Sequence, residues 1–115
     1  MKCNLKKQGN VLIVQISGEL DHYSAADIRD AVDIEIKSAA VRLLIFDFSQ
    51  LEFMDSSGIG IIMGRHKLLS NFGGRVCVCG ASSHIEKVML LSKLGEIVGI
   101  YKTLEECMQK EVNRS

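Results

Sequence analysis

The chain has 115 residues, which at about 100–200 residues per domain allows one folded unit and leaves little room for a second. Hydrophobic residues make up 47% of it and charged residues 24%, a composition that supplies one buried core and excludes a disordered chain. Its 14 Lys and Arg balance 14 Asp and Glu, so no net field draws it to nucleic acid or to an anionic membrane surface, and neither is an expected partner.

Residues 3–7 and 11–17 read as two strands joined at Gln8-Gly9-Asn10, a short turn of the kind that makes an antiparallel hairpin. After Gly18-Glu19-Leu20-Asp21 the period changes. Ala25, Ile28, Val32, Ile36 and Ala39 form a helical stripe from about Ser24 to Ala39, and Ser24 with Asp27 resembles a capping box. Leu43-Leu44-Ile45-Phe46-Asp47-Phe48 is an almost continuous apolar run, the pattern of a central strand covered on both faces.

A second helix is expected from near Ser57 to Ser70, a strand at Arg75–Cys79 after the Gly73-Gly74 turn, and a third helix at about His84–Leu91. A short strand at Ile97–Tyr101 and a terminal helix at about Leu104–Glu111 complete the chain. Ser83 with Glu86 and Thr103 with Glu106 repeat the capping-box pattern. Strands alternating with helices require crossover connections, so the expected fold class is α/β: one domain over residues 1–115, with a mixed, mostly parallel sheet of about five strands and four helices.

The longest apolar run, around Ile59 to Met63, falls far short of the ~20 residues of a membrane span. The Lys-bearing first residues lead into an alternating segment with no cleavage site, so a cytoplasmic chain is expected. Cys77 and Cys79 share one strand face, while Cys3 and Cys107 sit near opposite ends. With no C-x-x-C and no neighbouring His pair to make a zinc or redox site, buried reduced thiols are expected, with no metal and no cofactor.

The chemistry concentrates at Asp55-Ser56-Ser57-Gly58-Ile59-Gly60-Ile61-Ile62-Met63-Gly64. Three glycines in the first turns of a helix each cost about 0.5–1 kcal/mol relative to Ala. Either the helix backbone packs closely on the sheet, with the serines merely capping it, or a low-relief surface lets another molecule approach Ser56; the two are compatible. The glycine spacing is neither that of a dinucleotide site nor that of a P-loop, which leaves nucleotide binding a secondary reading. A serine hydrolase needs a base within reach. His66 lies ten residues beyond Ser56, about 15 Å along a helix, and nothing around Ser56 resembles a nucleophile elbow. His22, His66 and His84 therefore read as solvent-facing or capping residues, and no enzymatic activity is expected. A serine without a base can still accept phosphate from another enzyme. The added charge of about −1.5 to −2 suits a helix N-terminus but repels a partner packed there, the more so beside Asp55 and beside Asp21 if the two loops adjoin.

Gly18-Glu19-Leu20-Asp21-His22, followed by Phe53-Met54-Asp55-Ser56-Ser57-Gly58-Ile59-Gly60, resembles the anti-sigma factor antagonist family with the STAS fold, above all its sporulation branch. The similarity continues through Gly64-Arg65-His66-Lys67, Gly73-Gly74 and Val76-Cys77-Val78-Cys79. It implies that Ser56 is phosphorylated by an anti-sigma factor that is also a serine kinase, and dephosphorylated by a dedicated serine phosphatase. It also implies partner switching in sigma-dependent transcription: the unphosphorylated form binds the kinase and releases its sigma factor. On the same basis Glu19 and Asp21 stand beside the phosphorylation site, Asp55 and Ser57 frame the acceptor, and Gly58, Gly60 and Arg65 belong to the contact helix. The chain departs from its relatives in opening the third helix with Ser82-Ser83-His84, without the usual proline.

Overall fold

The structure, a computed structural model, describes residues 2–38 and 40–112. Strands β1 (Lys2–Gln8) and β2 (Val11–Leu20) run antiparallel with Gln8 opposite Val11. That register leaves two residues for the turn, and Gly9 enters it at φ 60°, a left-handed conformation that costs glycine no Cβ clash. Side chains alternate along β2, so Leu12, Val14 and Ile16 enter one core while Val11 and Ile13 enter another.

Helix α1 (Ala25–Ser38) buries Ile28 and Val32 from the expected stripe; Ala39 lies outside the described residues. Strand β3 (Leu43–Asp47) is buried along its whole length, as a strand covered on both faces must be. There follow β4 (Leu51–Met54), α2 (Ser56–Ser70), β5 (Arg75–Cys79), α3 (Ser83–Leu91), a 3-10 turn at Leu94–Glu96, β6 (Gly99–Tyr101) and α4 (Leu104–Val112). The sheet order is β1-β2-β3-β5-β6, with β1 antiparallel and the remaining pairings parallel.

Among the described residues the sheet has six strands; β4 is the one that sequence reading passes over. Of its four residues only Leu51 and Met54 are buried, a pattern that neither alternates nor runs on. β4 continues the line of β3 and pairs with the far end of β2, through Gly18–Leu51, Glu19–Phe53 and Leu20–Met54, with a bulge between Gly18 and Glu19. β2 therefore serves two parallel neighbours in succession.

Helices α1, α2 and α3 cover one face of the sheet. Ile28, Val32, Ile61, Ile62, Leu69, Ile85 and Met89 meet Leu44, Phe46, Val76 and Val78 there. Helix α4 covers the other face, setting Cys107 against Ile13, Ile45 and Cys77, with Leu104 and Met108 packed beside it. The buried Glu111 carboxylate ties α4 down further by accepting from Arg75 Nε at 2.7 Å and from the Tyr101 hydroxyl.

This layering brings two of the thiols together: Cys77 and Cys107, with a sequence separation of 30, are both buried and face each other because α4 lies directly over β5. Cys79 is buried and Cys3 half-buried. Burial, with Asp47 and Glu105 nearby, pushes the Cys79 thiol up to about 12.

Two caps also differ from expectation. The Asp21 carboxylate, rather than Ser24 with Asp27, receives the backbone N–H groups of Tyr23 and Ser24 at the start of α1, each at 3.0 Å. For α3 the cap is Ser82, one residue before Ser83, accepting from the N–H of Ile85. Thr103 caps α4 as expected, accepting from the N–H of Glu106 at 3.1 Å.

Candidate phosphoacceptor site

The two motifs that stand out in the sequence meet at one end of the sheet. Where β2 and β4 stop side by side, the Asp55 N–H donates to the Leu20 carbonyl at 3.3 Å. The loops carrying Asp21 and Asp55 therefore adjoin. The Asp21 loop is closed by its own bonds: the Asp21 N–H donates to Ser24 Oγ at 3.0 Å, and the Ser24 hydroxyl donates to the Glu19 carbonyl at 3.0 Å. Hydrogen bonds to the Asp21 carboxylate, above all from the Ser24 backbone, hold its pKa below the ordinary aspartate range.

Asp55 has extended backbone (φ −111°, ψ −168°) and caps α2, its carboxylate accepting from the Ser57 N–H at 2.8 Å. The helix thus has a cap although it lacks the capping-box sequence, and the serines are not that cap. Ser56 is the first residue of α2 and is exposed. Among the described residues no hydrogen bond engages its hydroxyl. Ser57 is half-buried against the turn.

The glycines divide between the two explanations open at the sequence level. Gly58 is buried, and a Cβ there would lie 2.4 Å from Met54 Cγ and 3.0 Å from Leu20 Cδ2, so this glycine serves close packing. A Cβ at Gly60 or Gly64 would meet nothing within 4 Å. Those two positions leave the helix surface flat.

Arg65 is less open than a contact residue would be. Its side chain is 12% exposed and its Nε lies 3.0 Å from Asp33 Oδ1 of α1, at ion-pair distance though not aligned as a hydrogen bond. It braces α2 against α1. His22 and His84 are exposed as expected, but His66 is half-buried and its Nδ1 is covered without a hydrogen-bond partner among the described residues. Among the described residues no cluster of three or more His, Cys, Asp or Glu side chains could hold a metal ion.

A hollow of about 360 Å³ beside the site is lined by Gly18, Glu19, Asp21, Tyr23, Ser24 and Asp27. With carboxylates and no cation on its walls, it is a poor receptacle for nucleotide phosphates. None of the described helices is long and apolar enough to cross a membrane.

The model of the STAS domain matches residues 2–107. The chain belongs to the STAS-domain family. Within it the chain is similar to the anti-sigma F factor antagonist of Paenibacillus polymyxa, with 35% identity over 101 residues, covering 88% of this chain and 86% of that protein. Among solved structures it is similar to the anti-sigma factor antagonist SpoIIAA in its unphosphorylated form, with a TM-score of 0.86, 30% identity and 99% of both chains covered. It is also similar to the Bacillus cell fate determinant SpoIIAA in the phosphorylated form, with a TM-score of 0.75, 32% identity, and 95% of this chain and 98% of that one covered. The α/β fold with four helices and a mostly parallel mixed sheet is thus the fold of an anti-sigma factor antagonist, a regulatory rather than an enzymatic family whose members act on anti-sigma factors.

Proposed function

We propose that this STAS protein is a phosphorylation-controlled antagonist whose switch is Ser56. In the unphosphorylated state it binds its anti-sigma factor and frees a sigma factor for transcription. The anti-sigma factor, acting as a serine kinase, transfers the γ-phosphoryl group of ATP to Ser56 Oγ; the hydroxyl proton is lost and ADP leaves. A serine phosphatase then restores the hydroxyl by hydrolysis. The chain itself contributes no catalytic group, and these events belong to the cytoplasm.

The observation that carries this reading is the state of Ser56: exposed, first in its helix, with a hydroxyl that no described residue engages. A phosphate there faces a helix N-terminus, which favours the fold, yet it adds about −1.5 to −2 charge to a surface already bearing Glu19, Asp21 and Asp55. Binding falls because the partner meets that charge. Glu19, Asp21 and Asp55 form the acidic surround, while Ser57 and the flat stretch at Gly60 contribute to the contact surface. Gly58 and Arg65 act indirectly, by seating α2 on the sheet and against α1.

The test is intact mass and phosphosite mapping after incubation with the cognate anti-sigma kinase and ATP. One phosphate on Ser56 is the expected result. A folded protein that takes none from an active kinase, or takes it elsewhere, overturns the reading.

A further inference from the structure

One feature of the Ser56 surface is unused by the charge switch. Phe53 of β4 is 39% exposed, and its ring stacks on the imidazole of His84 in the first turn of α3, with centroids 6.0 Å apart and planes 25° from parallel. An aromatic residue half open to water beside a strand end is unfavourable in the isolated molecule, where burying it would contribute stability. Phe53 precedes Ser56 by three residues, so their Cα atoms lie within about 11 Å of each other. Phe53 also stands directly opposite Glu19 in the β2–β4 pairing. The ring pair is therefore continuous with the phosphoacceptor surface rather than a separate patch.

The charges around it are predominantly acidic although the whole chain is neutral. Residues 18–24, 48–58 and 80–87, the segments bordering Ser56, Phe53 and His84, carry Glu19, Asp21, Glu52, Asp55 and Glu86 against the single cation of Lys87. A complementary surface presents cations with an apolar side chain set among them.

We propose that Phe53 and His84 form a docking platform for the anti-sigma partner, receiving an apolar side chain flanked by basic residues, so that partner affinity is set beside the phosphoacceptor and not by Ser56 alone. This inference rests on the proposed function. The platform is a fixed contact, present in both phosphorylation states; the phosphate modulates a complex that the platform selects.

The experiment is steady-state phosphorylation of the full chain by its cognate anti-sigma kinase at saturating ATP, with the antagonist varied. The variants are Phe53→Ser, Phe53→Leu and His84→Ala, with thermal unfolding run alongside. Phe53→Ser is expected to raise KM about tenfold with kcat changed less than about twofold, as for loss of an aromatic anchor. Phe53→Leu is expected to recover most of that loss. His84→Ala, an exposed position that the core does not need, is expected to raise KM about threefold at unchanged thermal stability. If Phe53→Ser is poorly folded, His84→Ala decides the matter. Wild-type phosphorylation at Ser56 with unaltered KM in the folded variants overturns the platform and leaves the phosphoswitch standing. Absence of phosphate on the wild type overturns the phosphoswitch and the platform together.

Discussion

Replacing Gly58 and Gly60 by alanine, one at a time, separates the packing role of the second helix from its surface role. Either change removes the conformational cost of glycine inside a helix, about 0.5–1 kcal/mol in favour of folding. At Gly60 nothing opposes that gain, because the new Cβ meets no atom within 4 Å. At Gly58 the new methyl would sit 2.4 Å from Met54 Cγ and 3.0 Å from Leu20 Cδ2. Met54 is 1% exposed and Leu20 0% exposed, so neither side chain can yield into solvent, and overpacking of this kind costs about 1–3 kcal/mol. Gly60→Ala should therefore be more stable than the wild type by about 0.5–1 kcal/mol, and Gly58→Ala less stable by about 1–2 kcal/mol. In a domain of this size the pair should differ by roughly 5–12 °C in thermal midpoint. Urea titration with a common m-value, followed by calorimetric binding to the anti-sigma partner, reads both effects. Gly60→Ala should weaken binding despite its greater stability. Equal stabilities for the two variants would refute the division of the glycines, and undiminished binding by Gly60→Ala would remove that position from the contact surface.

Three further outcomes follow from the same geometry. Ser56→Ala should abolish phosphate uptake while changing stability by less than about 0.5 kcal/mol, whereas Asp55→Ala, which removes the cap, should cost about 1 kcal/mol in denaturant unfolding. The Asp21 carboxyl titrates below its ordinary value in the folded state, so its contribution is present above about pH 4 and lost as pH falls through the folded value. Asp21→Asn should accordingly flatten the acid limb of the stability profile below about pH 4, measured by circular dichroism. Cys79, with its thiol pushed up to about 12, has almost no thiolate at pH 8. Iodoacetamide should leave it unmodified in the native protein and alkylate it once urea unfolds the chain, as read by peptide mass.

The sequence makes the framework of the fold legible because its strong elements obey simple periods. The apolar run of Val11 to Ile16, the stripe through Ile28 and Val32, and the unbroken run of β3 each permit one reading. β4 escapes because its register comes from β2, across a bulge, and not from its own four residues. The Asp55 cap is partly legible, since aspartate is a favoured capping residue, yet the absence of a Glu three residues later hides it. The Arg65–Asp33 brace and the Phe53–His84 stack join residues distant in sequence, and only the packing of α1 on α2 and of α3 beside β4 brings them together. The same holds for Cys77 and Cys107, whose contact depends on α4 crossing to the far side of the sheet.

The bond between Asp55 and Leu20, together with the three paired positions of β2 and β4 behind it, ties the start of α2 and Ser56 to the sheet. Local opening that carried Asp55 away from Leu20 would have to break a backbone hydrogen bond at the end of the β2–β4 pairing, so this loop is anchored to the sheet. Under the proposed switch, a phosphate on such an anchored loop would change charge without a change of fold, and the time spent in either state would be left to the enzymes that add and remove it.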